Sequence, residues 1–183
     1  MALDTSTSVG SVAVGEGERL LAEVVLNVGA GHSSELLPAI DRALHSAGLE
    51  PKELAAVVAG GGPGSFTGVR IGAATAKGIV HATGVPLFAY SSLLAAAAGC
   101  WGADRPVCAL FDARRRDVYA ACYRFGAGVE EVLAPRAGTL EEVLDRFRGG
   151  DPPLFTGEAA VIHRAEIERE LPGARVVPAQ LAA

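Results

Sequence analysis

The stretch Gly60-Gly61-Gly62-Pro63-Gly64-Ser65-Phe66-Thr67-Gly68-Val69-Arg70-Ile71-Gly72 limits this chain more than any other. An apolar run, Leu54 to Ala59, precedes it and reads as a buried strand. A Gly/Ala-rich segment, Thr67 to Thr83, follows and reads as a helix. Strand, glycine turn and helix start in succession leave backbone N–H groups unpaired where the helix dipole points outward. The stretch therefore reads as a tight strand-to-helix turn or as an anion-binding loop, and its residues leave both open. Three familiar motifs fail on spacing. A P-loop needs Gly-Lys-Ser/Thr after its glycine, but Gly64 is followed by Ser65 and Phe66, and the nearest lysine is Lys77. A dinucleotide fingerprint would run Gly62-x-Gly64 to Gly68 with one residue too many. A nucleophile elbow around Ser65 would need glycines where Pro63 and Thr67 stand.

Within the following helix, Gly68, Gly72 and Ala76 recur at i, i+4 and i+8. Each glycine costs a helix about 1 kcal/mol relative to alanine. Two on one ridge need a reason, and close approach of another backbone or a ligand supplies one.

Around this centre the chain reads as alternating strands and helices. Val9 to Val14 and Leu20 to Val28 are β-rich runs joined by the turn signal Gly15-Glu16-Gly17-Glu18. Asp4-Thr5-Ser6-Thr7 closes a short first strand; it reads as a self-satisfied Asx turn or as a loop placing an acid and hydroxyls at phosphates. Residues 33–47 read as an amphipathic helix with Leu36, Leu37, Ile40 and Leu44 on one face and Gly48 as its stop. Pro86 to Tyr90 is a further strand, and an Ala-rich helix capped by Ser91 or Ser92 ends near Gly99. From Arg105 a second block begins. Val107 to Phe111 and Val118 to Phe125 are strands around the turn Asp112 to Asp117. Thr139 with Glu142 forms a capping box, Pro153 to Thr156 and Ala174 to Val177 are strands, and Ala160 to Leu171 is a helix. The order predicts an α/β chain of two related lobes, 1–102 and 103–183, the second incomplete where another helix would begin at Pro178 to Ala183.

Charge and residue usage exclude several functions. The net charge is -5, whereas unaided nucleic-acid binders carry a basic footprint. Cys100, Cys108 and Cys122 form no CxxC and no even set, as buried thiols of a reducing compartment do. No signal peptide or membrane-length apolar run is visible, so a cytoplasmic protein is expected. His32, His45, His81 and His163 are scattered without metal-ligand spacing. Arg114-Arg115-Arg116 reads as a solvated turn or as a dock for a carboxylate or phosphate.

Three segments taken together resemble the bacterial TsaB (YeaZ) family: Asp4-Thr5-Ser6, Gly62 to Gly72, and Asp112-Ala113-Arg114-Arg115 with Val118-Tyr119. The resemblance covers nearly the whole chain. It implies an actin/Hsp70/sugar-kinase-like (RNase H-like) two-lobe fold. It also implies a non-catalytic scaffold in threonylcarbamoyladenosine synthesis, supporting the catalytic paralogue TsaD with the ATPase TsaE, self-pairing when alone, and meeting tRNA only through the complex. An ATPase or phosphotransferase of the same fold is the alternative. Relatives of the TsaD kind carry a metal-binding His-x-x-x-His where this chain has Ser92 and Ala96, so no catalytic residue, no metal and no protease machinery are expected. By the same resemblance Asp4, Ser6, Gly64 and Ser65 would contact a nucleotide, ATP or ADP with Mg at a subunit interface. Ala159, in Gly157-Glu158-Ala159 where the fold often carries a glycine pair for adenine, weighs against nucleotide binding by the chain alone. Leu37, Ile40, Gly68, Arg70, Ile71, Gly72, Ala74 and Thr75 would form the partner surface, on which Gly72→Leu would break the complex and spare the fold. The family also has a longer first strand and a final helix beyond the last residue here.

Overall fold

The computed structural model of the chain describes residues 1–27 and 32–178. It divides into two compact units, Met1–Ser92 and Leu93–Ala183. The sequence places that division at 102/103; side-chain packing places it ten residues earlier, since Leu93 and Ala97 share a core with Val107, Ala109 and Phe111.

The first unit contains β1 (Ala2–Asp4), β2 (Val9–Glu16), β3 (Arg19–Asn27), α1 (His32–Ala47), β4 (Val57–Gly60), α2 (Phe66–Thr83) and β5 (Leu87–Tyr90). The sheet order is β3-β2-β1-β4-β5, with β1 antiparallel to β2 and parallel to β4. Alternation decides which side is buried. Leu3 pairs with Val12, and both join Val14, Val57 and Ala59 in a core capped by Leu36, Ala39, Ile40, Ala43 and Leu44 of α1. Asp4 is next to Leu3 and so projects from the opposite face. β4 begins at Val57, not Leu54. Pro51–Glu53 form a 3₁₀ turn closed by a capping box from Glu50, and the Leu54 amide is held by the Pro51 carbonyl.

The second unit begins with α3 (Ser92–Ala98), whose first residue still belongs to the first unit. It continues through β6 (Val107–Arg114), β7 (Asp117–Phe125), β8 (Val129–Thr139), α4 (Leu140–Asp145), β9 (Leu154–Thr156), α5 (Glu158–Ile162), α6 (Arg164–Glu170) and β10 (Arg175–Val176). Its sheet order, β10-β9-β6-β7-β8, reverses to the order of the first: two antiparallel neighbours on one side of the leading strand, two parallel ones on the other. The two-lobe α/β expectation is met.

Two further elements differ from the sequence reading. β8 escapes it because Pro135 interrupts the run and only Leu133 along it is buried. The structure seats this proline at a register shift, between the pairs Cys122↔Leu133 and Ala120↔Arg136, where the ladder needs no donor. The single helix expected over 160–171 is two, joined at His163 (φ −95°, ψ 13°). The helix expected to start within 178–183 falls largely outside the described residues.

Cys108 and Cys122 are direct cross-strand partners, both fully buried, while Cys100 is only partly so. Burial pushes the Cys108 thiol up, with Cys122 adding to it, and burial also raises Cys100. Thiolate is the reactive form. A chromogenic thiol reagent at pH 8 should therefore titrate at most one thiol in the native chain and three after denaturation.

Candidate functional site

The glycine stretch and the Asp4 loop meet at the ends of β1 and β4. Asp4 Oδ1 accepts the Ser6 amide at 2.7 Å, and Oδ2 accepts the Ser92 hydroxyl at 2.7 Å. Ser92 Oγ in turn accepts the Gly62 amide at 3.1 Å. The Ser65 amide donates to the Ser6 carbonyl at 2.6 Å, and the Ser65 hydroxyl caps α2 by accepting the Gly68 amide at 3.2 Å. The Thr5 hydroxyl donates to the Gly68 carbonyl at 2.7 Å. Thr5, Ser6 and Ser92 are buried.

This geometry explains the glycines without a ligand. A Cβ on Gly60 would collide with the Asp4 carboxylate, on Gly64 with the Ser6 carbonyl, and on Gly68 with the Thr5 carbonyl. On Gly72 it would stand 2.6 Å from Thr5 Oγ1 and 3.3 Å from Leu3 Cδ1. The stretch lets a turn and a helix lie directly on the first strand. Asp4, Ser6, Gly64 and Ser65 are brought together as expected. Several of their polar groups are held within the chain: the Asp4 oxygens by the Ser6 amide and the Ser92 hydroxyl, the Ser6 carbonyl by the Ser65 amide, and the Ser65 hydroxyl by the Gly68 amide.

The ridge also requires a correction. Gly68, Gly72 and Ala76 are buried against the chain's own β1, so Gly68 and Gly72 do not belong to a partner surface. Ile40 is likewise a core residue, 5% exposed. The Gly72→Leu expectation falls with them, because a leucine there displaces Thr5 and Leu3 and breaks the unit itself. What remains outward is a different face. Leu37 on α1 is 59% exposed, Ala74 is exposed, and Ile71 and Thr75 are half-buried, with Ile71 leaning on the core. Arg70 lies with its guanidinium 3.6 Å from the centroid of the Phe66 ring, itself 67% exposed. Phe66, Arg70 and Ala74 share one face at i, i+4 and i+8. Phe66 escapes the sequence reading, although its signal was present: a buried ridge at 68, 72 and 76 turns 66, 70 and 74 to the far side of the helix.

Beneath the clasp, the Tyr90 hydroxyl lies 3.4 Å from the Leu3 carbonyl and beside Asp4. Burial first, then the Asp4 charge and hydrogen bond, push its pKa far above the ordinary range. The sign is clear. The folded phenol holds its proton more tightly than the unfolded one, so its contribution is complete below about pH 10, the unfolded value, and is lost as pH rises beyond it. Urea midpoints should fall as pH rises from about 10 to about 12, and Tyr90→Phe should blunt that fall; an identical fall in both chains refutes the assignment.

Comparison with known proteins follows the same lines. The family model described as TsaD: tRNA N6-adenosine threonylcarbamoyltransferase matches residues 20–157. The chain is 33% identical over 170 residues to the tRNA threonylcarbamoyladenosine biosynthesis protein TsaB of Bacillus subtilis, covering 92% of this chain and 74% of that one. It belongs to the TsaB (YeaZ) family. The Escherichia coli TsaB is 36% identical over 167 residues, 86% of this chain and 71% of its own. YeaZ from Pseudomonas aeruginosa superposes with a TM-score of 0.81 at 29% identity, over 99% of this chain and 84% of that one. A second solved structure from that organism, described as an uncharacterized protein with similarity to peptidase YEAZ, gives 0.80 at 29% identity over 96% and 82%. In this TsaB chain Ser92 is tied to Asp4, and Ala96 of α3 is half-buried. Among the described residues no group of three or more His, Cys, Asp or Glu is placed to hold a metal ion. No described helix is long and apolar enough to cross a membrane.

Proposed function

We propose that this TsaB chain is a non-catalytic subunit of the assembly that makes threonylcarbamoyladenosine in tRNA, docking on the catalytic paralogue TsaD. The observation that carries the reading is the outward face of α1 and α2. Leu37, Phe66, Arg70 and Ala74 present apolar and cation–π surface next to a helix ridge already consumed by internal packing. Aromatic and arginine side chains are the usual anchors of protein interfaces. The same face would serve a second copy of the chain when TsaD is missing, and TsaE would join the assembly as its ATPase.

The self-satisfied Asp4 clasp supports a structural role over an ATPase or phosphotransferase. The Ser6 amide and the Ser92 hydroxyl hold both Asp4 oxygens in the turn, which gives the carboxylate a structural task of its own. We place any nucleotide contact at a subunit interface and expect no affinity in the isolated chain. A peptidase is disfavoured for the same reason. Ser92 is 2% exposed and donates its hydrogen bond to Asp4, while Ser65 is an α2 cap.

Reconstitution tests the reading. Purified TsaD and TsaE, supplied with an unmodified tRNA transcript and the small-molecule substrates of the modification, should modify the tRNA only when this chain is added. Equal modification without it, or turnover of ATP by the chain alone, overturns the proposal.

A further inference from the structure

We propose that the tip of the β6–β7 hairpin is an RNA phosphate contact, with Arg114, Arg115 and Arg116 supplying the guanidinium groups; the partner RNA rests on the function proposed above. The backbone sets the argument. Asp112 pairs with Val118 and Arg114 with Asp117, so a register shift lies between them. Arg114, Arg115 and Arg116 then take φ of 66°, 54° and 74°. This is left-handed backbone, which an L side chain occupies at a cost and which Gly, Asn and Asp occupy readily. A two-residue hairpin turn of this kind favours Asn-Gly. The sequence places arginine at all three positions instead, and a local fold argument gives no reason for it.

The side chains are presented outward. All three arginines are exposed. Asp112 holds the bend by accepting the Arg114 amide at 2.8 Å. None of the ion pairs found among the described residues involves Arg114, Arg115 or Arg116, and with three arginines against two aspartates the turn stays net positive.

The ligand class follows from what the tip lacks. A protein interface surrounds its arginine anchors with buried apolar and aromatic side chains; from Asp112 to Asp117 the only apolar residue is Ala113. A small phosphorylated molecule needs a concave pocket, and a projecting turn is the opposite. A phosphodiester backbone needs neither, only guanidinium groups within reach of successive phosphates. The chain as a whole carries a net charge of -5, which opposes RNA over most of its surface and confines contact to a local patch. The tip thus positions RNA without reading its sequence.

The test replaces the arginines by residues the backbone prefers: Arg114→Asn, Arg115→Asn and Arg116→Gly together. The turn then loses charge without losing its conformation, and the melting temperature should equal or exceed that of the parent. Affinity for an unmodified tRNA transcript is measured against salt, both for the full chain bound to TsaD and for the chain alone at low salt. Each phosphate contact contributes about 0.7 to 0.9 to the slope of log affinity against log salt. The triple variant should therefore lose about two to three from that slope. Between about 50 and 200 mM salt the parent should lose roughly 20- to 40-fold more affinity than the variant. An unchanged slope overturns the inference. So does a variant that keeps the transcript but loses a polyglutamate peptide, which would make the tip a protein contact. Co-purification with TsaD is scored on the same samples. Failure to pair overturns the functional reading, while the slope of the chain alone still decides the hairpin.

Discussion

Gly68→Val should remove the first unit from the soluble, folded population. The cause is local and geometric. A Cβ at position 68 is driven into the Thr5 carbonyl, and backbone cannot step aside as the end of a flexible side chain can. To make room, α2 must lift from β1. That costs the 2.7 Å bond from the Thr5 hydroxyl to the Gly68 carbonyl and loosens the packing of Ala76 on the same ridge. Overpacking of this kind costs about 1–3 kcal/mol, and a lost buried hydrogen bond about 1–3 kcal/mol more. A domain of this size holds about 5–15 kcal/mol in all, and each kcal/mol is worth roughly 4–8 °C. Thermal denaturation followed by circular dichroism should show a fall of at least about 10 °C, or no folded protein. Gly78→Val on the same helix, where a Cβ meets nothing within 4 Å, is the control and should cost little. Equal melting temperatures for the two variants would show that the ridge does not lie on β1.

The contrast between those glycines shows what the sequence could and could not say. The spacing of Gly68, Gly72 and Ala76 announces a close approach, and the apolar periodicity of 33–47 announces a helix. Both are properties of single elements. Which backbone approaches the ridge is a tertiary fact, and no local pattern distinguishes a partner's helix from the chain's own first strand. Ile40 was misread for a related reason: on an amphipathic helix the core face and a docking face are both apolar. Leu36 and Ile40 are buried while Leu37 is not, and the strands beneath them decide it. That Asp4, Ser6 and Ser65 lie together at one loop cluster is legible locally, because a strand end rich in acid and hydroxyls marks a turn. That the partners of Asp4 would be Ser92 and the Ser6 amide was not legible, since Ser92 lies 88 residues away in sequence. The strand over 129–139 was hidden by Pro135 and by its place at a sheet edge, where little burial marks the pattern.

Correcting the ridge moves the expected interface onto Phe66 and Arg70, where the second large effect is predicted. Phe66→Asp with Arg70→Glu should abolish capture of the chain by immobilised TsaD, weakening binding by about 100-fold or more, since truncating an anchoring aromatic or arginine commonly costs at least about 2 kcal/mol and 1.4 kcal/mol is tenfold. The fold should survive. Both side chains point outward, and exposed substitutions usually stay within about 0.5 kcal/mol. Phe66 is the first residue of α2, a turn that carries no acidic residue, so an aspartate there meets the positive end of the helix dipole and is favourable. Melting temperature, which collapses for Gly68→Val, should hold for this pair, and that difference separates an interface from a core. Lys77→Ala, an exposed position on the same stripe one turn beyond Ala74, should weaken capture far less than the double variant. If the double variant is folded and still captured at parental affinity, the docking surface is not the outward face of α2, and the scaffold reading loses the observation that carries it.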